Sequence, residues 1–258
     1  MDASSESSGS PPTGSPAAQP PVQDSGPPPP ASGTPLRAID FCAVAVAVVA
    51  VEMAGHRELQ RMQIAPLSVE ALKAVLVIRA AQIAAMLVPL AWIRGIRPSA
   101  LGLRWGNWRR DLVWAARVSV VLAAGFGLAA GGYGLAGGGN LVAVVFGRSP
   151  LVEADSFGAR LAILAGVVVI GPLAEELFFR GGLHAVLRRS FPPVQTILVT
   201  ALFFAAAHAG SVRFPVIQFV GGLAFSFLYE KTGTLLAPVL VHAAGNLAIL
   251  VVPIMVAP

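Results

Sequence analysis

Three charged side chains, Glu175, Glu176 and Arg180, lie within one of the most apolar runs of the sequence. A charged side chain in the hydrocarbon of a bilayer costs about 2.5–3.5 kcal/mol on insertion scales, so such residues usually mark a functional site. On a helix, Glu176 and Arg180 are four residues apart with the acid first, the favourable order for an ion pair. Glu175 points about 100° away and has no such local partner. Because a desolvated, unpaired carboxylate is suited to general-base catalysis, we predict that Glu175 is the base. A structural network that holds helices together is the alternative for these three charges.

Three further polar side chains, His208, His242 and Asn246, lie in the apolar segments that follow. Counted from the turn at Pro192 and Pro193, Glu175 lies roughly 20 Å away along its own helix, and His208 roughly 22 Å away along the next, antiparallel helix. His242 is somewhat shallower on the last helix, and Asn246, one turn further on the same face, compensates. The four side chains are therefore predicted to converge in one site. Taken singly, a histidine or asparagine in such a position can equally join helices by hydrogen bonds.

The composition is that of a membrane protein. Of the 258 residues, 55% are hydrophobic and only 12% are charged, whereas soluble domains carry roughly 25% charged residues. The apolar segments are continuous rather than alternating, which favours helices over a β-barrel. We therefore predict an all-α, polytopic transmembrane helix bundle of about seven to eight spans. The net charge of +5 comes from arginines in short loops between apolar runs, so it does not indicate a nucleic-acid partner.

Two regions are distinguished along the chain. Residues 1–36 are rich in Pro, Ser and Gly and are predicted to form a disordered tail. Residues 37–258 form the predicted transmembrane domain, with Glu52 near the end of the first span and Arg79 in the second, where it either snorkels to the interface or pairs with an acid. Residues 140–147 are too short to span, so they are predicted to form a re-entrant or interfacial piece. The predicted spans cover about 38–55, 71–93, 111–132, 160–189, 194–209, 213–229 and 235–258.

The arginines predict the orientation of the chain in the membrane. One basic loop follows the second span and another, with Arg188 and Arg189, follows the fourth. Because basic loops remain in the cytoplasm, seven spans place the N-terminus in the cytoplasm and the C-terminus outside. The bias towards Ala, Gly, Val and Arg is typical of a GC-rich bacterial genome, so we expect an integral protein of a bacterial plasma membrane. The basic residues of the first loop are Arg94, Arg97, Arg104, Arg109 and Arg110.

The same polar residues carry a resemblance to a known family. Glu175-Glu176-x-x-x-Arg180, Phe204-x-x-x-His208 and His242-x-x-x-Asn246 resemble, in order, the three motifs of the CPBP intramembrane proteases, which include CAAX prenyl endopeptidases and bacteriocin-processing (Abi) proteins. The resemblance covers about residues 95–250, with the motifs at about 160–250.

What this resemblance implies is hydrolysis of a peptide bond in a membrane-associated, potentially prenylated peptide or protein. Glu175 with His208 would activate water, and His242 and Asn246 would stabilise the oxyanion. Glu176, Arg180 and Phe204 would support the site.

The metal requirement and two other functions stay open at this point. A catalytic zinc takes about three protein ligands, and Glu175, His208 and His242 would be the set. Glu176 would then have to act as base although it is committed to Arg180, so a metal-free, glutamate-based mechanism is favoured and no cofactor is expected. A proton-coupled transporter would also contain intramembrane acids and histidines. A non-catalytic scaffold or immunity factor would use the same cavity only to bind a partner.

Overall fold

The computed structural model describes residues 35–63, 68–209 and 215–255. Throughout these ranges the regular elements are helices, which confirms the predicted all-α fold. The N-terminal tail is predicted to be disordered, and its residues 1–34 lie outside the described ranges. A short 3₁₀ turn, Pro98–Leu101, precedes the third helix. The α-helices are α1 Ala38–Arg61, α2 Val69–Trp92, α3 Trp108–Leu135, α4 Leu141–Phe146, α5 Pro150–Glu153, α6 Phe157–Leu187, α7 Pro193–Ala206, α8 Val216–Thr232 and α9 Leu236–Met255.

Five helices, α1, α2, α3, α6 and α9, are long and apolar enough to cross a membrane. The shorter apolar helix α7 and the 17-residue helix α8 pack against each other within the bundle. Together they are compatible with the predicted number of spans. The protein is therefore an integral membrane protein, with apolar side chains exposed on the outside of the bundle where lipid replaces water.

The helix ends differ from the predicted spans in two places. Helix α1 continues to Arg61, beyond the predicted end at about residue 55, because polar residues on its last turns still favour helix. Glu52 consequently lies well inside α1 rather than near its end. Helix α3 continues through the first glycines to Leu135. The segment at 140–147 contains only the short helix α4, as expected from its length.

Arginines of the two predicted basic loops lie at one end of the bundle. Arg94, just after α2, forms an ion pair with Asp40 in the first turn of α1, with 2.8 Å between Arg94 Nε and Asp40 Oδ1. Arg189, just after α6, donates from Nη1 to the carbonyl of Leu36 at 2.8 Å. The start of α1 and the ends of α2 and α6 therefore lie on the same side.

The start of α3 and the turn between α8 and α9 lie at that same end. Arg104, after the 3₁₀ turn, donates to the Gly233 carbonyl at 3.1 Å, and Arg110 in α3 donates to the Thr232 carbonyl at 2.6 Å. Gly233 adopts φ 65° at the end of α8, a left-handed conformation that glycine accepts without strain. It follows that α9 begins at the basic end and runs towards the opposite one.

Candidate active site

The site is centred on α6, whose backbone departs from regular α-helix on both sides of the two glutamates. The helix widens into π-type turns at Leu164–Ile170 and again at Leu177–His184, with the α-helical turn Gly171–Glu176 between them. Such wide turns interrupt regular packing and are frequent at functional sites. Here they set the rotation at which Glu175 and Glu176 leave the helix.

Pro172 explains one of the contacts that fix the last helix. In the i,i+5 pattern of the wide turn, the Val167 carbonyl would accept from residue 172, but proline has no backbone N–H. The side-chain Nδ2 of Asn246 on α9 donates to this carbonyl instead, at 2.8 Å. Gly171 permits the close turn, since a Cβ there would lie 2.7 Å from the Gly166 carbonyl oxygen. Asn246 is thus held against α6 and retains a second amide N–H.

Glu176 and Arg180 form a closed, fully buried ion pair. Arg180 Nη1 donates to Glu176 Oε1 at 3.0 Å, and Arg180 Nη2 donates to the Gly222 carbonyl of α8 at 3.0 Å. Neither residue is exposed. His242 on α9 adds a hydrogen bond from Nδ1 to Glu176 Oε1 at 2.8 Å. The pair therefore joins α6, α8 and α9, and its two charges compensate each other away from water.

Aromatic rings enclose this pair. The guanidinium carbon of Arg180 lies 4.8 Å from the ring centre of Phe204 and 5.1 Å from that of Phe225, within the range of cation–π attraction. The imidazole of His242 stacks on Phe225, with 4.7 Å between centres and 13° between planes. These rings fix the orientation of His242 and keep water from the ion pair.

Glu175 lies on the open side of the same helix. Its side chain is 23% exposed, and Oε2 is 3.8 Å from His208 Nε2 and 3.7 Å from His242 Nε2. Within the described part of the chain, Oε2 has no hydrogen-bond partner although its surface is buried. The structure therefore brings Glu175 together with both predicted histidines, at distances that are too long for a direct hydrogen bond.

The hydrogen bond of His208 determines which of its nitrogens faces Glu175 as an acceptor. Nδ1 lies 2.7 Å from the Phe204 carbonyl oxygen, and because a carbonyl accepts only, Nδ1 carries the hydrogen. In the neutral imidazole Nε2 then presents a lone pair. Glu175 and His208 thus offer two acceptors to the same space, a fitting environment for a water molecule that donates to both.

A cavity of about 300 Å³ opens beside Glu175 and His208. Its opposite wall comes from α1 and α2 and includes Glu52, Arg79 and Gln82. Arg79 pairs with Glu52 at 3.2 Å, which settles the choice between snorkelling and pairing in favour of the acid. Sequence reasoning did not connect these residues with the site, because Glu52 and Arg79 are 27 positions apart and meet only when the two helices pack. The apolar lining includes Val48, Val49, Met86, Phe178 and Phe179.

Glu175, His208 and His242 are the three side chains that would hold a zinc ion. Two ligands on a tetrahedral zinc with bonds of about 2.0–2.1 Å are only about 3.4 Å apart, less than the distances from Glu175 Oε2 to either histidine. Among the described residues no group of three or more His, Cys, Asp or Glu side chains is placed to hold a metal ion. In this arrangement Glu175 remains available as a base.

Comparison with known proteins identifies the region that holds these residues. No curated protein and no solved structure matches the chain significantly. Residues 157–248 match the family model described as type II CAAX prenyl endopeptidase Rce1-like. This range runs from the start of α6 into α9 and contains every residue of the predicted site, whereas α1 to α5 lie outside it. Residues 157–248 are thus similar to an Rce1-like domain, which confirms the resemblance to the CPBP proteases in this part of the chain.

Proposed function

We propose that this protein hydrolyses a peptide bond in a membrane-associated substrate, with a CAAX-type prenylated peptide as the substrate class that its Rce1-like domain supports. The observation that carries the proposal is the position of Glu175. Its Oε2 faces the Nε2 atoms of His242 and His208 at 3.7 and 3.8 Å, and Glu175 and His208 line a cavity. A carboxylate that is partly exposed, unpaired and flanked by imidazoles is equipped to move protons.

In the proposed reaction, Glu175 and His208 together activate a water molecule. Water donates to both acceptors, its oxygen forms a bond to the carbonyl carbon of the scissile peptide, and its proton passes to Glu175. The tetrahedral intermediate collapses as the C–N bond breaks. The amine leaving group takes the proton back from Glu175, which returns to its starting state. The products are a carboxylic acid and an amine, and transfer of the acid's proton to the amine gives a carboxylate and an ammonium.

His242 and Asn246 are proposed to stabilise the oxyanion of the intermediate. The hydrogen bond from His242 Nδ1 to Glu176 fixes the ring with Nε2 facing Glu175, where a hydrogen on Nε2 would donate to the oxyanion. Asn246 retains one amide N–H beyond the bond to Val167. Donors placed in advance where negative charge develops are commonly worth a factor of about 10²–10³ in rate each.

The basic end of the bundle supports an orientation in the membrane. Arg94, Arg104, Arg110 and Arg189 all make contacts at the end where α1 begins. Positive residues favour the cytoplasmic side, so we place the N-terminus there, in a bacterial plasma membrane. A lipid chain on the substrate would then lie between helices, in contact with the apolar bundle surface.

The proposal is tested with the purified full-length protein in detergent and a fluorogenic CAAX-type prenylated peptide. Wild type should cleave the peptide, and Glu175→Gln should lower kcat by a factor of about 10³ or more, because the amide cannot accept the proton. Glu58→Gln is the matched control, since Glu58 is an exposed acid on α1 that pairs only weakly with Arg61, at 3.9 Å.

Three results would count against this mechanism. Equal activity of Glu175→Gln and wild type would remove Glu175 from the chemistry. Loss of wild-type activity with a zinc chelator, followed by recovery on adding zinc, would make Glu175 and the histidines metal ligands. A biological function that survives Glu175→Gln, without cleavage by either protein, would favour the scaffold.

A further inference from the structure

A second polar cluster lies across the cavity from the proposed catalytic residues, outside the Rce1-like domain. Glu52 on α1 accepts from His56 at Oε1, 3.1 Å away, and from Gln82 and Arg79 of α2 at Oε2, 2.6 and 3.2 Å away. Arg79 Nη1 also donates to Gln82 Oε1 at 2.8 Å. Both oxygens of Glu52 are thus used, so this acid has little capacity left for a ligand.

Arg79 has N–H donors that make no hydrogen bond among the described residues. A guanidinium carries five N–H groups in a planar fork, and the two hydrogen bonds that Arg79 makes among the described residues both leave from Nη1. Nε and Nη2 remain for another acceptor. The side chain is 28% exposed and lines the same cavity as Glu175 and His208. The cluster therefore offers the N–H donors of Arg79, rather than the oxygens of Glu52, to the cavity in which the substrate would lie.

The contrast with Arg180 indicates that Arg79 is more than a tie between two helices. Arg180 is fully buried and uses both terminal nitrogens on protein acceptors. Arg79 is partly exposed and holds its position through one nitrogen. A charge inside a helix bundle has to be compensated. Glu52 compensates Arg79 through Nη1 and leaves the Nε and Nη2 edge of the guanidinium free for a ligand.

We propose that Arg79 binds a carboxylate of the substrate peptide through Nε and Nη2, and so determines which peptides are placed against Glu175. Nε and Nη2 match the two oxygens of a carboxylate in a bidentate pair. A cavity of about 300 Å³ is at the lower end for ligand sites, so it accommodates a short chain end rather than a folded segment. This inference rests on the proposed function, and its carboxylate is either the C-terminus of the substrate or an acidic side chain near it.

The test compares three forms of the fluorogenic CAAX-type prenylated peptide: a free C-terminal acid, a C-terminal amide, and an amide whose last residue is Asp. The proteins are wild type, Arg79→Gln, the double variant Glu52→Gln with Arg79→Gln, and Arg61→Gln. The double variant keeps the cluster free of an unpaired charge. Arg61 is the control because it is a strongly exposed arginine at the end of α1.

For wild type and Arg61→Gln, kcat/KM should be about tenfold or more higher for the acid than for the amide, mainly through KM, as expected for a charged hydrogen-bonded pair. Arg79→Gln and the double variant should lower kcat/KM for the acid to the level of the amide and leave kcat/KM for the amide unchanged.

Cleavage of the Asp-ending amide as fast as the acid would identify a side-chain carboxylate as the ligand, whereas slow cleavage would identify the C-terminus. Equal cleavage of all three peptides by wild type would overturn the proposal. The proposal would also be overturned if Arg79→Gln slowed cleavage of every peptide and the double variant restored it. That pattern is expected when Arg79 only holds the two helices together.

Binding separates this inference from the proposed function. Fluorescence anisotropy with the labelled acid and amide peptides is measured on Glu175→Gln, with and without Arg79→Gln. Tighter binding of the acid that disappears with Arg79→Gln supports the carboxylate site even if no peptide is hydrolysed. Equal binding of acid and amide overturns it, whether or not wild type proves to be a protease.

Discussion

Glu175 and Glu176 are neighbours in sequence, yet they lie in opposite environments. Glu176 is fully buried and its Oε1 receives hydrogen bonds from both Arg180 and His242. Glu175, about 100° further round α6, borders the cavity at 23% exposure and makes no direct hydrogen bond to the two histidines it faces. The difference is produced by the helices around α6, since α8 and α9 close one side while the other side faces the cavity.

This comparison distinguishes a glutamate that holds helices together from a glutamate that is proposed to react. The buried acid fixes His242 in place and joins three helices, whereas Glu175 lines the cavity and has no hydrogen bond from the two histidines it faces. Oε2 of both acids lacks a hydrogen-bond partner among the described residues, so the difference lies in the ion pair. An acid paired with a buried cation stabilises the fold, and one without such a partner beside a cavity has capacity for a substrate or a proton. The four predictions below test this separation, beginning with the largest expected effect.

Removing the cation of the closed pair should have the largest effect. Arg180→Met leaves the Glu176 carboxylate buried and uncompensated, which should cost about 3–5 kcal/mol of stability. The measurement is thermal or denaturant unfolding of the purified protein in detergent. The double variant Arg180→Met with Glu176→Gln should recover a large part of the loss, because no charge is then left buried. A single variant as stable as wild type would contradict the view that this pair holds the helices together.

On the open side, His208→Ala should reduce activity without a comparable loss of stability. We expect kcat to fall by a factor of about 10²–10³, the range typical of a positioned proton-transfer group. His208 lies in the turn after α7 and is partly exposed, so its removal leaves the helix contacts in place. The comparison is kcat on the fluorogenic peptide against unfolding midpoint. A fall in midpoint as large as that of Arg180→Met would assign His208 to the structure instead.

Asn246→Ala should have a smaller effect on rate. If its second N–H contacts the oxyanion, kcat should fall by about 10–10², with KM little changed. Because the same side chain holds the Val167 carbonyl, Asn246→Asp serves as a second variant that keeps the shape but not the donors. A change confined to KM in both variants would place Asn246 in substrate binding rather than in stabilisation of the intermediate.

The smallest effect is expected for the stability of Glu175→Gln. Since Glu175 Oε2 has no hydrogen-bond partner among the described residues, neutralising it removes no hydrogen bond of that oxygen. The free energy of unfolding should stay within about 0.5 kcal/mol of wild type or rise slightly, as is common when a functional group is replaced. Glu176→Gln, measured beside it, should be clearly destabilised. Equal destabilisation of the two variants would abolish the distinction between the two acids.

A large part of this architecture could be predicted from local features of the sequence. Continuous apolar segments in a chain with few charges predict spanning helices, because only internally hydrogen-bonded backbone is stable in hydrocarbon. The spacing of Glu176 and Arg180 predicts their contact on one helix, since residues four apart are neighbours there. Counting residues from the Pro192 turn places Glu175 and His208 at equal depth, and the structure brings them to 3.8 Å.

Other features depend on contacts between residues far apart in sequence. The rotation of α9 that aims His242 Nδ1 at Glu176 and stacks its ring on Phe225 is determined by packing against α6 and α8. The same holds for the cluster of Glu52 and Arg79, which meet across two helices, outside the family match, to form the far wall of the cavity. Helical periodicity determines which residues share a face of one helix. Which faces meet is decided by the packing of the whole bundle, and that packing alone distinguishes the acid that holds the site from the acid that faces the cavity.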